Sequence, residues 1–314
     1  MGIGVTRSAF TDTELLQNFA LSYLPKVADQ SVEKLFTKVP VSAEKDSFLY
    51  GVWDKGMGLQ NPGNDLRGDT GVSKRYEDKY SQSSGTIVRY SGSTEVSEVI
   101  GKRYPGGYDV YEQIRTQRLL QHASRARAIR ASSTLAYSGM TYKDTPSVKW
   151  DASSATTIFK NIKTAKTSIF NQCGEEPNRI AFSRSVADAL SVSAEFIARY
   201  AGVDPKVTSC AIPPQIDDME TVVLKTRYNT AKKGQTASIS EVFGDVCYIG
   251  YVSDIPDPFA LSGAATFKPE DKPDIKINKW FDPATQCWIV EYEMWETNIV
   301  VAQECWYVWY DCLT

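Results

Sequence analysis

Hydrophobic residues spaced three or four positions apart predict four helices. The longest covers residues 108–137, where a partial apolar stripe extends over roughly thirty residues, on the order of 45 Å at the helical rise per residue. A shorter helix, Thr11–Leu24, stops before Pro25, because the residue before a proline rarely continues a helix. The other two helices follow small polar residues that can cap a helix N-terminus, namely Asp151 or Ser153 and Ser183 or Ser185.

Alternating and continuous apolar runs predict strands along most of the remaining chain. The run Val242–Val252 is nearly all apolar, which is typical of a central strand buried on both faces. Near the end of the sequence the strands are rich in aromatic residues, and we expect them to pack as one sheet against the long helix. The predicted strands are Phe48–Trp53, Gly85–Tyr90, Glu95–Ile100, Arg179–Ser183, Glu220–Leu224, Val242–Val252, Asp274–Trp280, Gln286–Glu296 and Asn298–Tyr310.

Glycine is concentrated in one part of the chain. Eleven of the twenty glycines lie between Gly51 and Gly107, and the stretch 56–71 combines them with an Asn-Pro turn signal, charges and few core-forming residues. Compact monomers rarely keep a loop of this length without a function for it. The pattern therefore predicts a long hairpin or loop that projects from the body of the protein.

Composition and charge exclude several classes of protein. The 314 residues carry a net charge of -3, which does not suit a basic coat that neutralises nucleic-acid phosphates. The apolar runs are too short to span a bilayer, so no membrane partner is expected, and no secretory signal pattern opens the sequence. The six cysteines show no Cys-x-x-Cys spacing and lie mostly in apolar surroundings, so we expect buried free thiols.

Catalytic motifs are missing from the sequence. His122 is the single histidine, and neither a phosphate-binding P-loop, a dinucleotide-binding glycine motif nor a Gly-x-Ser-x-Gly nucleophile motif occurs. We therefore expect a binding or assembly protein, with no enzyme activity, catalytic residue, cofactor or metal site. Five arginines without an intervening acid follow the start of the long helix. They form either a solvated face or a basic ridge that meets acids on a neighbour or an enclosed polyanion.

Three local strings stand out along the chain. They are Val148–Asp151 before a helix, Pro177–Ser183 followed by Val186–Leu190, and Tyr228–Ala231 followed by Val242–Val252. These strings and the order of the segments resemble the Hong Kong 97-type major capsid proteins of tailed double-stranded DNA bacteriophages. The resemblance covers essentially residues 10–312.

The resemblance implies an α+β fold with five parts. These are an N-terminal arm (1–45), an extended loop that forms a long β-hairpin (46–104), a peripheral domain with a spine helix (105–172), an axial domain (173–267) and peripheral C-terminal strands (268–314). It also implies a major capsid protein that assembles as hexamers and pentamers into an icosahedral shell. Arm and loop would lie over neighbouring subunits.

The same resemblance implies partners and contact residues. Expected partners are further copies of the chain, a separate scaffolding protein, a portal, a decoration or cement protein, and packaged double-stranded DNA contacted non-specifically. The expected location is the virion, after assembly in the host bacterial cytoplasm. Candidate contacts between subunits are Arg118, Arg125 and Arg130 of the spine helix, with Glu95 or Glu98 of a neighbour's loop as their partners.

Two alternatives remain open at this point. An encapsulin-type cellular compartment shares the fold and would enclose an enzyme instead of DNA. A secreted β-rich binding protein would display the tripeptide Arg67-Gly68-Asp69, which spells a cell-adhesion signal. The missing signal pattern argues against the second alternative, whereas a monomeric mass in solution would favour it.

Overall fold

The computed structural model of the chain describes residues 16–20, 31–42, 47–56, 59, 81–152, 157–200, 212–232 and 234–314. Two larger sheets and one long helix organise these parts of the chain. Residues 16–20 are helical. The other α-helices are α1 (Glu98–Arg103), α2 (Gly107–Thr134), α3 (Ile158–Cys173), α4 (Arg184–Val192) and α5 (Ala194–Tyr200).

The first large sheet has six strands, which are β5 (Lys143–Asp144), β6 (Arg179–Ser183), β7 (Gln215–Ile216), β8 (Met219–Leu224), β11 (Cys247–Gly250) and β15 (Trp306–Trp309). Their order across the sheet is β5-β15-β11-β6-β8-β7. Neighbouring strands are antiparallel except for β5 with β15 and β6 with β8, which are parallel.

Both faces of this sheet are covered. On one face Ile180, Phe182 and Ile249 join a core with the inner side of α3 and α4. On the other face Tyr248 and Trp306 join a second core with the end of α2. Because alternate residues of a strand point to opposite faces, a strand covered on both sides must be apolar at every position. All four residues of β11 are buried for this reason.

The second large sheet has five strands, built around the 14-residue strand β14. β14 pairs antiparallel with β4, β12 and β13, while β1 pairs parallel with β12. The strands are β1 (Thr37–Val41), β4 (Val88–Val96), β12 (Ala264–Pro269), β13 (Lys276–Asp282) and β14 (Cys287–Val300). Leu119, Leu120 and Ala123 of α2 pack on Val290 and Met294 of β14.

Two short ladders complete the described strands. β2 (Ser47–Val52) pairs antiparallel with β3 (Ser81–Thr86), and β9 (Arg227–Asn229) with β10 (Ile239–Glu241). Within residues 46–104, therefore, β2 and β3 pair with each other, whereas β4 pairs with β14 and residues Glu98–Arg103 are helical. The strand predicted over Glu95–Ile100 is wrong beyond Val96. Of the glycine-rich stretch 56–71 only residues 56 and 59 are described, and residues 1–15, 21–30 and 43–45 of the arm lie outside the described residues.

Several sequence predictions are confirmed and others need correction. The long helix, the strand Arg179–Ser183 and the buried central strand are present. The central strand is only Cys247–Gly250, because Gly244 at φ +65° turns the chain before it. The last predicted strand, Asn298–Tyr310, is divided by a 3-10 turn at Gln303–Cys305, and its second half joins the six-stranded sheet.

The N-terminus of α3 is capped differently from the prediction. α3 begins at Ile158, and the carboxylate of Glu195 in α5 accepts hydrogen bonds from the backbone N–H groups of Ile158 at 2.9 Å and Phe159 at 3.4 Å. Asp151 instead accepts a hydrogen bond from the backbone N–H of Thr314 at 3.1 Å. A carboxylate from another helix thus supplies the acceptor that a helix N-terminus needs.

Candidate functional site: the charged face of the long helix

One face of α2 is buried along its whole length. The buried residues recur every three or four positions, as an inward-facing helical stripe requires. They are Glu112, Thr116, Leu119, Leu120, Ala123, Arg127, Ala128 and Ala131. Two of them, Glu112 and Arg127, are charged and therefore need partners, since an unpaired charge is costly to bury.

Arg127 finds its acid partners within its own chain. Its Nη1 lies 2.6 Å from Oε1 of Glu33, and its Nε lies 2.8 Å from Oε2 of Glu296 on β14. Asp274 lies further away, at 3.7 Å from Nη1. One arginine therefore joins three segments that are far apart in sequence: the long helix, the turn before β1, and the long strand.

Arg130, one helical turn later, uses the same strand. Its Nη2 lies 2.6 Å from Oε1 of Glu296, and its guanidinium carbon lies 3.8 Å from the centre of the Tyr90 ring. The Glu296 side chain is only 2% exposed and holds one arginine on each carboxylate oxygen. We refer to Glu33, Arg127, Arg130, Asp274 and Glu296 as the ion-pair cluster.

Two lysines extend the cluster towards solvent. Lys38 lies 2.6 Å from Glu33, and Lys268 is ion-paired with Asp274. Burial alone would raise the pKa of Glu33, but the charges of Arg127 and Lys38 outweigh burial and lower it. The pKa of Asp274 is lowered in the same way by Lys268 and Arg127, against burial. Both carboxyl groups are therefore held in the charged state.

Burial and charge also compete at Arg127 itself. Burial lowers the pKa of the guanidinium, but the nearby carboxylates of Glu296 and Glu33 outweigh it and raise the pKa. The arginine therefore stays protonated in the interior. Each charged group of the cluster has an oppositely charged partner within the chain. The cluster therefore holds the helix on the sheet and does not offer a charge to a substrate.

The N-terminal half of α2 has a second buried ion pair. The Nζ of Lys279 on β13 lies 2.7 Å from Oε1 of Glu112, and the lysine side chain is 6% exposed. The Lys279 ammonium also lies 4.9 Å from the centre of the Trp288 ring. Each end of the long helix is thus fixed to the five-stranded sheet by paired charges.

The structure separates the predicted contact residues into three groups. Glu98 accepts a hydrogen bond from the indole N–H of Trp288 at 3.0 Å, and the backbone carbonyl of Glu95 accepts from Arg115 at 3.0 Å. Arg130 is paired with Glu296 inside its own chain. These contacts all lie within one subunit, so the inter-subunit role of the five predicted residues stays a prediction.

Arg118 and Arg125 lie on the outer side of the helix. Arg118 is exposed, and no ion pair joins it to a residue that the structure describes. Arg125 is half-buried, and its nearest polar partner is the His122 ring nitrogen at 3.5 Å. For these two arginines the inter-subunit role stays a prediction.

The burial of Arg127 and Glu296 could have been predicted from the sequence, because both residues are in register with buried apolar positions. Arg127 lies four residues after Ala123 and four before Ala131, in register with the buried stripe. Glu296 continues the inward alternation of Val290, Tyr292 and Met294 in β14. An arginine and a glutamate at core positions of adjacent elements predict a buried pair.

Other candidate features receive no support from the described residues. In that part of the chain no group of three or more His, Cys, Asp or Glu side chains could hold a metal ion. None of its helices has the length and apolar composition needed to cross a membrane. The five described cysteines are free thiols, as predicted, whereas Cys210 and Arg67-Gly68-Asp69 lie outside the described residues.

No protein-family model and no curated protein matches the chain. Solved structures do match. A phage-related protein from Bordetella bronchiseptica RB50 is 21% identical, with a TM-score of 0.68 over 95% of this chain and 97% of that one. The capsid structure of cyanophage P-SCSP1u is 13% identical, with a TM-score of 0.53 over 89% of this chain and 87% of that one.

An encapsulin complex from Synechococcus elongatus PCC 7942 is also similar, with 9% identity and a TM-score of 0.51 over 91% of this chain and 88% of that one. These likenesses extend over nearly the whole length of each chain. The chain therefore has the α+β fold of the Hong Kong 97-type capsid proteins, which confirms the resemblance at the level of fold.

Proposed function

We propose that this chain is a major capsid protein that assembles as hexamers and pentamers into an icosahedral shell around the double-stranded DNA of a bacteriophage. One observation carries the proposal: the fold is shared from end to end with a phage-related protein, covering 95% of this chain and 97% of the other. Since similarity at this identity concerns the fold, the assembly and its contents are our inference from it.

Exposed strands and apolar side chains among the described residues support an assembly role. β3 has no buried residue, and β13, which pairs with β14 on one side, carries Trp280 and Phe281 with 44% of each exposed. In α1, Val99 and Ile100 are 62% and 54% exposed. Exposed strands and large apolar side chains are costly in a monomer and are typical of surfaces that meet another copy.

We assign the parts of the fold accordingly. The arm (1–45) and extended loop (46–104) lie over neighbours, and the long helix with the five-stranded sheet forms the peripheral domain. The six-stranded sheet forms the axial domain, which then includes Trp306–Trp309. Proposed partners are a separate scaffolding protein, a portal, a decoration or cement protein and non-specifically contacted DNA. The location is the virion, assembled in the host bacterial cytoplasm.

The proposal is tested by imaging and mass. The chain is co-expressed with the product of a neighbouring scaffolding gene and examined by light scattering and negative-stain electron microscopy. We expect closed shells and free capsomers. A chain that stays monomeric at micromolar concentration would contradict the proposal and would favour the secreted binding protein.

A loop deletion tests the role of the glycine-rich stretch. Removing residues 56–71 should leave a folded chain, by circular dichroism, that cannot build normal shells. The matched control is the parent chain under the same conditions. Normal particles from the deletion variant would show that these residues are not needed between subunits.

An encapsulin-type compartment is the second candidate, favoured by the likeness to the Synechococcus elongatus encapsulin complex. The contents of particles isolated from the native host decide between the two. Nuclease-protected double-stranded DNA supports a phage capsid. A stoichiometric protein cargo identified by mass spectrometry, with no protected DNA, supports the compartment.

A further inference from the structure

Residues 16–20 lie against the outer edge of strand β13. The side-chain amide of Gln17 donates from Nε2 to the backbone carbonyl of Ile275 and accepts at Oε1 from the backbone N–H of Ile277, each at 2.6 Å. A residue of a neighbouring parallel strand makes the same two contacts with its own N–H and C=O. One side chain therefore takes the place of a strand residue at this edge.

Apolar burial holds the same segment in place. Leu16 is 6% exposed and Ala20 is fully buried, and both belong to the core that contains Ile275 and Ile277. Asn18, on the other side of the segment, is exposed. The position of the Gln17 amide is thus set by packed neighbours as well as by its two hydrogen bonds.

The edge that Gln17 covers belongs to the last strand of its sheet. Among the described strands β13 pairs only with β14, residue for residue. Backbone groups of alternate residues point to opposite sides of a strand, so those of Lys279 and Phe281 point away from β14, as those of Ile277 do. Trp280 beside them is 44% exposed. Unpaired backbone groups next to an exposed aromatic ring are a template for a further strand.

We propose that residues 16–20 are an edge guard, in which Gln17 keeps β13 from pairing with β13 of a second copy of the chain. The guard blocks the first part of the edge through its two hydrogen bonds and through the volume of the packed segment. This inference concerns the folded chain and does not depend on shell assembly.

The backbone of β13 suits an antiparallel pair with itself. When Lys279 lies opposite Lys279 of the second copy, Ile277 lies opposite Phe281. All three residues direct their N–H and C=O groups outward, as the hydrogen-bonded positions of an antiparallel ladder require. With the guard in place, the N–H of Ile277 is already used by Gln17 in both copies.

The charges of β13 also complement each other in this pair. Lys276 lies opposite Asp282 of the second copy, and both are on the face of β13 that Ile277 does not share. Opposite charges that face each other across a ladder stabilise it. Lys279 at the centre keeps Glu112 of its own chain as its partner, at 2.7 Å. The partner that fits this edge is therefore a second copy of the chain.

Chemical cross-linking of the full-length chain tests the guard. Gln17→Leu removes the amide but keeps the approximate size of the side chain. A zero-length carbodiimide reagent then joins lysine amines to carboxylates. Lys276 and Asp282 of one chain are six strand residues apart, about 20 Å, so a link between them forms only between copies. We expect this link to be several-fold more abundant in Gln17→Leu than in the parent, mapped by mass spectrometry on mixed unlabelled and isotope-labelled chains.

Asn18→Leu is the matched control, because it adds the same side chain to the exposed side of the same segment. It should cross-link like the parent. Phe281→Pro in the Gln17→Leu chain removes an outward N–H, which an edge strand tolerates, and should abolish the link. If Gln17→Leu fails to fold by circular dichroism, Gln17→Glu is used in its place, because its carboxylate cannot donate to Ile275.

The link reports pairing of β13 directly, whether or not shells form. A parent-level link in the folded Gln17 variant, or an equal rise in Asn18→Leu, would overturn the proposal. Association of the variant without the link between Lys276 and Asp282 would overturn it as well, since another surface would then be responsible.

Discussion

The two large sheets of this protein are stabilised by different forces. The six-stranded sheet is covered on both faces by apolar cores, and none of its strands carries a buried charge. The five-stranded sheet and the long helix share an apolar core as well, but they also bury charges. The buried charged side chains of the described residues lie on α2, β13 or β14, and they are Glu112, Arg127, Lys279, Glu293 and Glu296.

The difference shows what each region needs from its surroundings. An apolar core is non-directional and tolerates small shifts, whereas a buried ion pair holds only one relative position of its two elements. The six-stranded sheet is therefore stabilised mainly by apolar burial on its two faces. The long helix is fixed in register on its sheet by the ion pairs of Arg127, Arg130 and Lys279.

The largest effect should come from the apolar region. Phe182 is fully buried in β6, 6.5 Å from the Trp150 ring between centroids. Phe182→Ala removes a core aromatic ring and should lower the free energy of unfolding by about 3–5 kcal/mol. Urea denaturation followed by circular dichroism measures this loss.

The matched control for the core variant is Phe281→Ala, because Phe281 is 44% exposed on β13. Phe281→Ala should lower the free energy of unfolding by less than about 1 kcal/mol. Equal losses for the two variants would show that the six-stranded sheet is not the apolar stability centre of the chain.

A smaller but still large effect should come from the ion-pair cluster. Glu296→Gln leaves Arg130 without its acid and leaves Arg127 with Glu33 as its close partner. Because Arg127 keeps one partner, we expect the free energy of unfolding to fall by about 2–4 kcal/mol, slightly less than for a buried charge that loses every partner. Glu95→Gln, at an exposed position, is the control and should unfold like the parent. A parent-like Glu296→Gln would mean that the cluster contributes no net stability.

The sequence predicted the elements of the fold better than their connections. Local spacing determines helix α2 and strand β6, so both were found. The division of Asn298–Tyr310 between two sheets depends on which distant strands lie beside it, since Val301 bonds to Gly263 and Trp306 pairs with Gly250. No local pattern contains that information.

The candidate site was predicted in part. A basic helix was evident, but the sequence offered no way to choose partners for its arginines, because Glu33 and Glu296 lie 94 and 169 residues away from Arg127. The burial of Arg127 was readable from its register with Ala123 and Ala131. Its pairing with two acids at once required the tertiary structure.

The acid sensitivity of the two regions should differ as well. The folded-state pKa of Glu33 and that of Asp274 are lowered, so their stabilising contribution is present above the ordinary carboxyl pKa and is lost as pH falls through the folded value. The parent should therefore lose stability below about pH 4.5, by at most about 1.4 kcal/mol per pH unit for Glu33.

Removal of the arginine tests this origin of the acid sensitivity. Arg127→Met takes away a charge that lowers the pKa values of Glu33 and Asp274. The free energy of unfolding of this variant should therefore fall less steeply between pH 5 and pH 3 than that of the parent. Urea denaturation at several pH values gives the slope, with Arg118→Met as the matched control. Parallel slopes for parent and Arg127→Met would place the acid-sensitive groups elsewhere.

The smallest effect on the isolated chain is expected at the outer side of the long helix, where the comparison between self-contained and dependent regions is sharpest. Arg118 and Arg125 are seven residues apart and share one face, and single solvated arginines contribute less than about 1 kcal/mol. Arg118→Ala and Arg125→Ala should therefore leave the stability of the free chain unchanged, whereas Arg130→Ala should destabilise it, because it removes a partner of buried Glu296.

If the outer arginines meet acids of a neighbour, the same two variants lower the melting temperature of assembled particles. Particle melting beside circular dichroism of the free chain decides the matter: unchanged particles would show that these arginines are only solvated, and that the long helix uses its charges solely within its own subunit.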